Sequence, residues 1–310
     1  MFINRPKILI SGGGGFIGQH LLNNLIKENC ELYCLVRNSG LEFIKNQIEG
    51  ISYYDVDLKQ KESLHKIVKS ISPDFVIHLA GVKSRSNKVE GINNILNDNI
   101  FGTLNLFESL LAIPNLKQIT VLGSVEEYGF VESPFKENSF ENPVSIYGVS
   151  KLSISKLAKI FAIEHQLPII ILRSSVVYGP KQGTEMFIPS IINALSQKKL
   201  FSMTKGEQYR DFIFIDDLIE AIKRTILIDD VSGLIINIAS GISYKLSDIA
   251  KKISKILNGD CNLQIGALEY RKLEIMNYSV DITLASLKLN WKPSTSIDKG
   301  LVITIDSLHE

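Results

Sequence analysis

Residues 7–18 read Lys-Ile-Leu-Ile-Ser-Gly-Gly-Gly-Gly-Phe-Ile-Gly, and no other stretch limits the fold so severely. An apolar, β-prone run breaks into four consecutive glycines and passes straight into a helical pattern. Gly12, Gly15 and Gly18 have the spacing G-x-x-G-x-x-G. Glycine at a strand-to-helix turn permits tight backbone geometry and lets an anion approach the main chain closely. The following helix offers unpaired amides at Phe16 and Ile17 and the positive end of its dipole. Together these features predict a dinucleotide pyrophosphate site at Gly12, Gly15, Phe16, Ile17 and Gly18.

The rest of the first half extends that unit. Lys7–Ser11, Glu31–Val36, Ile51–Tyr54, Phe75–His78, Ile119–Leu122 and Ile169–Arg173 are short Ile/Val/Leu-rich runs that read as buried strands. Helical patterns over Phe16–Glu28, Lys61–Ser70, Asn99–Leu111 and Ile146–His165 separate them. Such alternation predicts an α/β fold: a doubly wound parallel sheet with right-handed crossovers. Past Pro180 strands thin out, while Ile219–Ile226 and Leu246–Leu257 read as helices and Ile235–Ile238 as a strand returning to the sheet. We expect a dinucleotide-binding domain over 1–175, with 211–240 returning to it. A smaller mixed α/β substrate lobe is expected from 176–210 and 241–310.

Composition excludes several classes. A 45% hydrophobic content supports a large core, and a net charge of +1 gives no broad surface for nucleic acid or an anionic membrane. Only Ile8-Leu9-Ile10 precedes the glycines, too short for a signal sequence, and no run approaches a membrane span, so a cytoplasmic protein is expected. Cys30, Cys34 and Cys261 form no CxxC pair and read as thiols of a reducing compartment. The five histidines lack metal-ligand spacing, and His78, ending an apolar strand, reads as a core histidine. No G-x-S-x-G elbow is present.

The end of the second strand bears on the cofactor. An acid there would bind a ribose 2′-hydroxyl, yet the chain reads Leu35-Val36-Arg37-Asn38. A guanidinium suits a 2′-phosphate, so NADP(H) is favoured, with NAD(H) as the alternative. Asp57 and Leu58, after the third strand, are placed to meet the adenine, although Asp57 also reads as a turn residue.

Tyr147 and Lys151, spaced i,i+4, share one face of a helix that follows Gly123-Ser124 at the end of the fifth strand. Sites on parallel sheets form at such carboxyl ends. A nearby ammonium is expected to lower the phenol's pKa, letting Tyr147 exchange a proton with a substrate oxygen that Ser124 also holds.

At this point the chain resembles the extended short-chain dehydrogenases/reductases that act as nucleotide-sugar epimerases, dehydratases and reductases. The resemblance runs nearly end to end. It rests on ISGGGGFIG at 10–18, HLAG at 78–81, Asn99 with Gly102-Thr103, GSVEEYG at 123–129 and YGVSK at 147–151. YGP at 178–180, RDFIFIDDL at 210–218, NIAS at 237–240 and LNWKP at 289–293 complete it. It implies a Rossmann fold, with Tyr147 as general acid/base, Lys151 on the nicotinamide ribose and Ser124 orienting the sugar oxygen. Leu79, Ala80 and Asn99 would lie along the cofactor, and Arg210 and, less closely matched, Arg271 would reach a nucleotide-sugar diphosphate. A homodimer through the helices at Asn99–Leu111 and Tyr147–His165 is also implied, although their apolar residues read equally well as core. Val176 stands where many relatives carry a phosphate-binding Asn, and Ser175 is the nearest substitute.

Three reactions fit the resemblance. A 4,6-dehydratase needs acid/base groups just after Ser124; Val125 cannot move a proton, while Glu126 occupies the place of the base and is a substrate-site candidate. A 4-epimerase recycles its cofactor, usually with the second-strand acid that is missing here. Arg37 and the run Glu126-Glu127-Tyr128-Gly129 resemble reductases of nucleotide-linked sugars. NADPH-dependent reduction of a nucleotide-diphosphate-linked 4-keto-6-deoxy sugar is therefore expected. Epimerase and dehydratase are the alternatives. A non-catalytic NADP-binding protein is disfavoured because Ser124, Tyr147 and Lys151 are all kept.

Overall fold

The computed structural model describes residues 5–37, 48–83, 89–228, 232–258 and 262–309; Cys261 lies outside them. Seven parallel strands form the central sheet: β1 (Lys7–Ser11), β2 (Glu31–Val36), β3 (Ile51–Asp55), β4 (Phe75–His78), β5 (Gln118–Ser124), β6 (Ile169–Ser174) and β10 (Ile235–Ile238). Their order is β10-β6-β5-β4-β1-β2-β3. The chain winds outward from β1 in both directions, so a crevice opens above the carboxyl ends of β1 and β4, where the order reverses.

Alternation along the strands explains why both faces are covered. Ile8, Ile10, Ile170 and Leu172 join one apolar cluster, while Leu9, Ile169 and Ile171 join the other. On the first face lie α1 (Phe16–Leu25) and α7 (Ile215–Ile226), tied together by Lys223, whose ammonium donates to Asn24 at 2.8 Å and Glu28 at 2.9 Å. On the second lie α2 (Lys61–Ile71), α4 (Gly102–Leu110) and α5 (Ile146–Glu164). The helix expected from Asn99 instead runs as α3 (Val89–Leu96), a π-helical turn at Asn97–Phe101, and α4. The turn buries Asn99, whose side chain accepts from Val82 N at 2.7 Å and donates to Ser150 at 2.9 Å.

The second half adds a three-stranded sheet of β11 (Ser243–Lys245), β9 (Tyr209–Phe214) and β7 (Val176–Tyr178), in that order. It also adds a parallel pair of β12 (Leu263–Ile265) and β8 (Phe201–Met203). Helices α6 (Phe187–Ser196), α8 (Leu246–Ile256), α9 (Thr283–Leu289) and α10 (Ile297–Asp306) surround them. Asp217, in the first turn of α7, draws in the C-terminal segment by accepting from Ser294 N at 2.9 Å and Thr295 N at 3.0 Å. Among the described residues no helix is long and apolar enough to cross a membrane.

Candidate active site

The glycine turn is shaped by close backbone approach. Gly12 has φ +76°, and a Cβ there would lie 2.6 Å from Ala80 N; a Cβ on Gly18 would lie 2.4 Å from Gly12 O. Strand β1, the exit of β4 and helix α1 therefore touch main chain to main chain. Gly15 caps α1 without a side-chain bond, and no acid occupies the first turn. The amides at Phe16 and Ile17 thus end a ten-residue helix with no side chain capping them, which suits a pyrophosphate. Behind the turn, His78 Nδ1 lies 2.6 Å from Ser11 Oγ and His78 Nε2 lies 2.8 Å from Thr103 Oγ1. Thr103 donates to Asn99 O at 2.5 Å, so it accepts from Nε2–H and leaves Nδ1 to accept from Ser11. Burial, with the Lys151 charge, drives His78 down to about 3, which keeps this core histidine neutral. Leu79 N donates to Ser11 O at 3.0 Å, fixing the β4 exit beside the turn.

The opposite end of the cofactor groove is charged. Arg37 leaves β2 and donates to Asp98 at 2.9 Å; Lys59 donates to the same carboxylate at 2.6 Å. Asp57 accepts from Lys59 N at 2.9 Å, so it does serve as a turn residue, and Leu58 is buried with its carbonyl accepting from Asn105 at 2.9 Å.

Ser124, Tyr147 and Lys151 converge where β5 ends. Tyr147 and Ser124 line an open cleft of about 580 Å³ with Phe16, Ile17, Glu126 and Tyr278. Ser145 caps α5, accepting from Gly148 N at 2.9 Å, and this sets Tyr147 in the first turn. Lys151, 5% exposed, donates to Leu122 O at 2.8 Å, and its ammonium lies 5.9 Å from the Tyr147 ring centre. Gly81 leaves room for it, since a Cβ there would stand 3.3 Å from Lys151 Nζ.

The electrostatics correct one expectation. Tyr147 is not lowered by its lysine: burial and the charges of Glu126 and Glu127 push its phenol well above the ordinary value, against a hydrogen bond with Ser124. Lys151 moves instead, driven down to about 8 by burial with Glu127 opposing. Glu126 is raised by burial, yet Lys83, Ser145 and Arg210 together hold it below its ordinary value.

Lys83 was not visible as a site residue in the sequence. It donates to Glu126 at 2.7 Å and lies 5.1 Å from the Tyr147 ring centre. Its only local sign was a position two residues past the HLAG run. Ser145 was missed for the same reason; it donates to Glu126 at 2.8 Å.

On the substrate side, Arg210 does not pair with Asp211. It forms an ion pair with Glu274, donates to Ile275 O at 2.7 Å, and sits 5.1 Å from the ring centre of Tyr278, a wall of the cleft. Adjacent residues of a strand point to opposite sides, which sends Asp211 inward. There it accepts from Ser175 Oγ at 3.1 Å, Ser240 N at 2.8 Å, Ser240 Oγ at 2.9 Å and Gly241 N at 2.8 Å. Ser175 lines the cleft but spends its hydroxyl on Asp211, so it is not a free replacement for the missing Asn. Arg271 is exposed and stands outside the cleft lining.

Comparison with known proteins places the chain in a family. The chain is 31% identical to a dTDP-D-glucose 4,6-dehydratase of Dictyostelium discoideum over 81% of its own length and 62% of that protein's. It is 28% identical to the CDP-abequose synthase of Salmonella typhimurium, covering 96% of each. The UDP-glucose 4-epimerase of Thermotoga maritima, solved with UDP-glucose, superposes with a TM-score of 0.91 at 25% identity, covering 98% of both chains. Residues 8–239 match the NAD dependent epimerase/dehydratase family. With most of its length matched and the strand–glycine–helix unit in place, the chain belongs to the NAD dependent epimerase/dehydratase family of extended short-chain dehydrogenases/reductases.

Proposed function

We propose that the chain acts on nucleotide sugars, as its named relatives do, and reduces the C4 ketone of a nucleotide-diphosphate-linked 4-keto-6-deoxy sugar. The observation that carries this reading is the far end of the cofactor groove, where Arg37 leaves β2 in the place of an acid and Lys59 stands beside it, a pairing suited to NADP(H). Ketone reduction consumes NADPH, one hydride and one proton at each turnover, whereas an epimerase or dehydratase recycles its cofactor. Lys151 would hold the ribose of NADPH, which when bound would supply the hydride for C4. Tyr147 would give its proton to the C4 oxygen, and Ser124 would hold that oxygen by a hydrogen bond. Arg37, with Lys59 beside it, supports the NADP(H) preference. Arg210, and more weakly Arg271, are the cations assigned to the substrate diphosphate.

Dehydration is the second reading, because Glu126 faces the cleft and several relatives are named 4,6-dehydratases. Against it, Val125 is buried and carries no proton, and Glu126 is tied to Lys83 and Ser145.

The 1–175 segment with 211–240 serves as the cofactor domain in this reading, and 176–210 with 241–310 as the substrate lobe. Phe101 and Leu111, exposed at the two ends of α4, and Ile160 and Ile163, exposed on α5, are assigned to the surface of a homodimer.

The test is NADPH oxidation with GDP-, dTDP-, CDP- and UDP-linked 4-keto-6-deoxyhexoses, in wild type and Tyr147→Phe. Oxidation with at least one substrate, lost in the variant while NADPH still binds, is expected. Interconversion or dehydration of nucleotide sugars without net NADPH use overturns the reading.

A further inference from the structure

Tyr147, Lys151 and Ser155 fall at i, i+4 and i+8, one stripe of α5 facing the end of β5. The first two belong to the site already described. The third is held by Glu127. The Glu127 side chain is 0% exposed. One carboxylate oxygen accepts from Ser124 N at 2.8 Å. The other accepts from Ser155 Oγ at 2.6 Å and from Arg173 Nε at 2.7 Å. One side chain therefore joins β5, α5 and β6 at the point where the three catalytic groups meet.

The surroundings are built to keep it there. A Cβ on Gly123 would lie 2.7 Å from the Glu127 carboxylate, so the residue before Ser124 has to be glycine for the chain to fold back in this way. Arg173 is buried, stacks 4.6 Å from the Tyr128 ring centre and donates to Glu141 at 3.0 Å. Glu141 in turn accepts from Lys156 of α5 at 3.0 Å. The network thus closes on the same helix it began from, one residue past Ser155.

We propose that Glu127 is a positioning residue for the reaction: its carboxylate registers α5 against β5 so that Ser124, Tyr147 and Lys151 meet. The proposal rests on the catalytic reading of those three residues given above. Lys151 donates to Leu122 O of β5, the strand that Glu127 ties to α5, so the same register that seats Ser155 seats the lysine.

Glu127→Gln keeps the size and removes the charge; Ser155→Ala removes the tie to α5 and keeps the charge. Both are compared with wild type and Tyr147→Phe. Cofactor binding is followed by NADPH fluorescence, and kcat and KM by NADPH oxidation with the 4-keto substrates. Glu127→Gln is expected to keep the wild-type NADPH affinity and KM and to lose about tenfold in kcat. Ser155→Ala should likewise keep KM and lose kcat several-fold. Wild-type kcat in Glu127→Gln, or a loss confined to KM, overturns the proposal. If that variant fails to fold, wild-type turnover in Ser155→Ala overturns it. Tyr147→Phe separates the two levels: full turnover there refutes the catalytic reading itself, whereas its loss with the other two variants unchanged refutes only the role of Glu127.

Discussion

Replacing Arg37 by alanine is expected to weaken NADPH binding while leaving NADH almost untouched. Arg37 and Lys59 converge on one carboxylate, Asp98, at 2.9 and 2.6 Å, with side chains 47% and 43% exposed. Two cations share Asp98, and their exposed N–H donors are free to turn to a 2′-phosphate. A hydrogen bond to a charged group is worth about 1.5–3 kcal/mol, and the exposure of Arg37 places its contribution at the low end, about 1.5 kcal/mol. That is about a tenfold rise in the NADPH Kd. Lys59→Ala should cost less, because Asp57 also holds this ammonium at 3.6 Å. The double variant should depart from additivity, since the two cations share Asp98. Asp98→Asn carries the opposite sign: freeing both cations from their carboxylate should tighten NADPH several-fold and leave NADH unchanged. Fluorescence titration with each cofactor at one fixed salt concentration measures all four effects, since exposed pairs are salt-sensitive. Equal losses for NADPH and NADH in Arg37→Ala, or selective weakening of NADPH in Asp98→Asn, would refute the reasoning.

Three further outcomes follow from contacts in the fold. Gly18→Ala places its Cβ 2.4 Å from Gly12 O, so the turn must shift; overpacking of about 1–3 kcal/mol outweighs the gain in helix propensity, and both NADH and NADPH should bind more than about tenfold more weakly. Gly14→Ala, with nothing nearer than 3.9 Å, is its control and should melt like wild type. Asp211→Asn turns an acceptor of four donors into a group that must face one of them with its own N–H, costing about 2–3 kcal/mol, and a thermal melt should fall by several degrees. Ile160→Asp with Ile163→Asp should convert a dimer to a monomer in sedimentation experiments if that surface pairs two copies; a dimer that persists removes the assignment.

Much of the architecture was legible because local periodicity sets it. The run Lys7–Ser11 followed by Gly12–Gly15 located the turn, and the i,i+4 spacing located Tyr147 and Lys151 on one face of α5. Boundaries were less legible. The helix expected through Glu28 stops at Leu25, and the segment expected as one helix from Asn99 passes through a π-helical turn. The reason in the second case is tertiary: Asn99 has to meet Val82 and Ser150, 17 and 51 residues away.

By itself, then, the sequence determined a parallel α/β sheet, a glycine turn fit for a pyrophosphate, and the identity of the three groups at the end of β5. Only the tertiary structure decided how those groups are charged and what steadies them. Lys83 meets Glu126 across 43 residues and Arg173 meets Glu127 across 46, while Arg210 passes over its neighbour Asp211 for Glu274, 64 residues on. Spacing along a helix or strand fixes which side chains share a face. The proton affinity of Tyr147 and Lys151 depends instead on burial and on charges brought in by other strands, and these exist only once the sheet has formed.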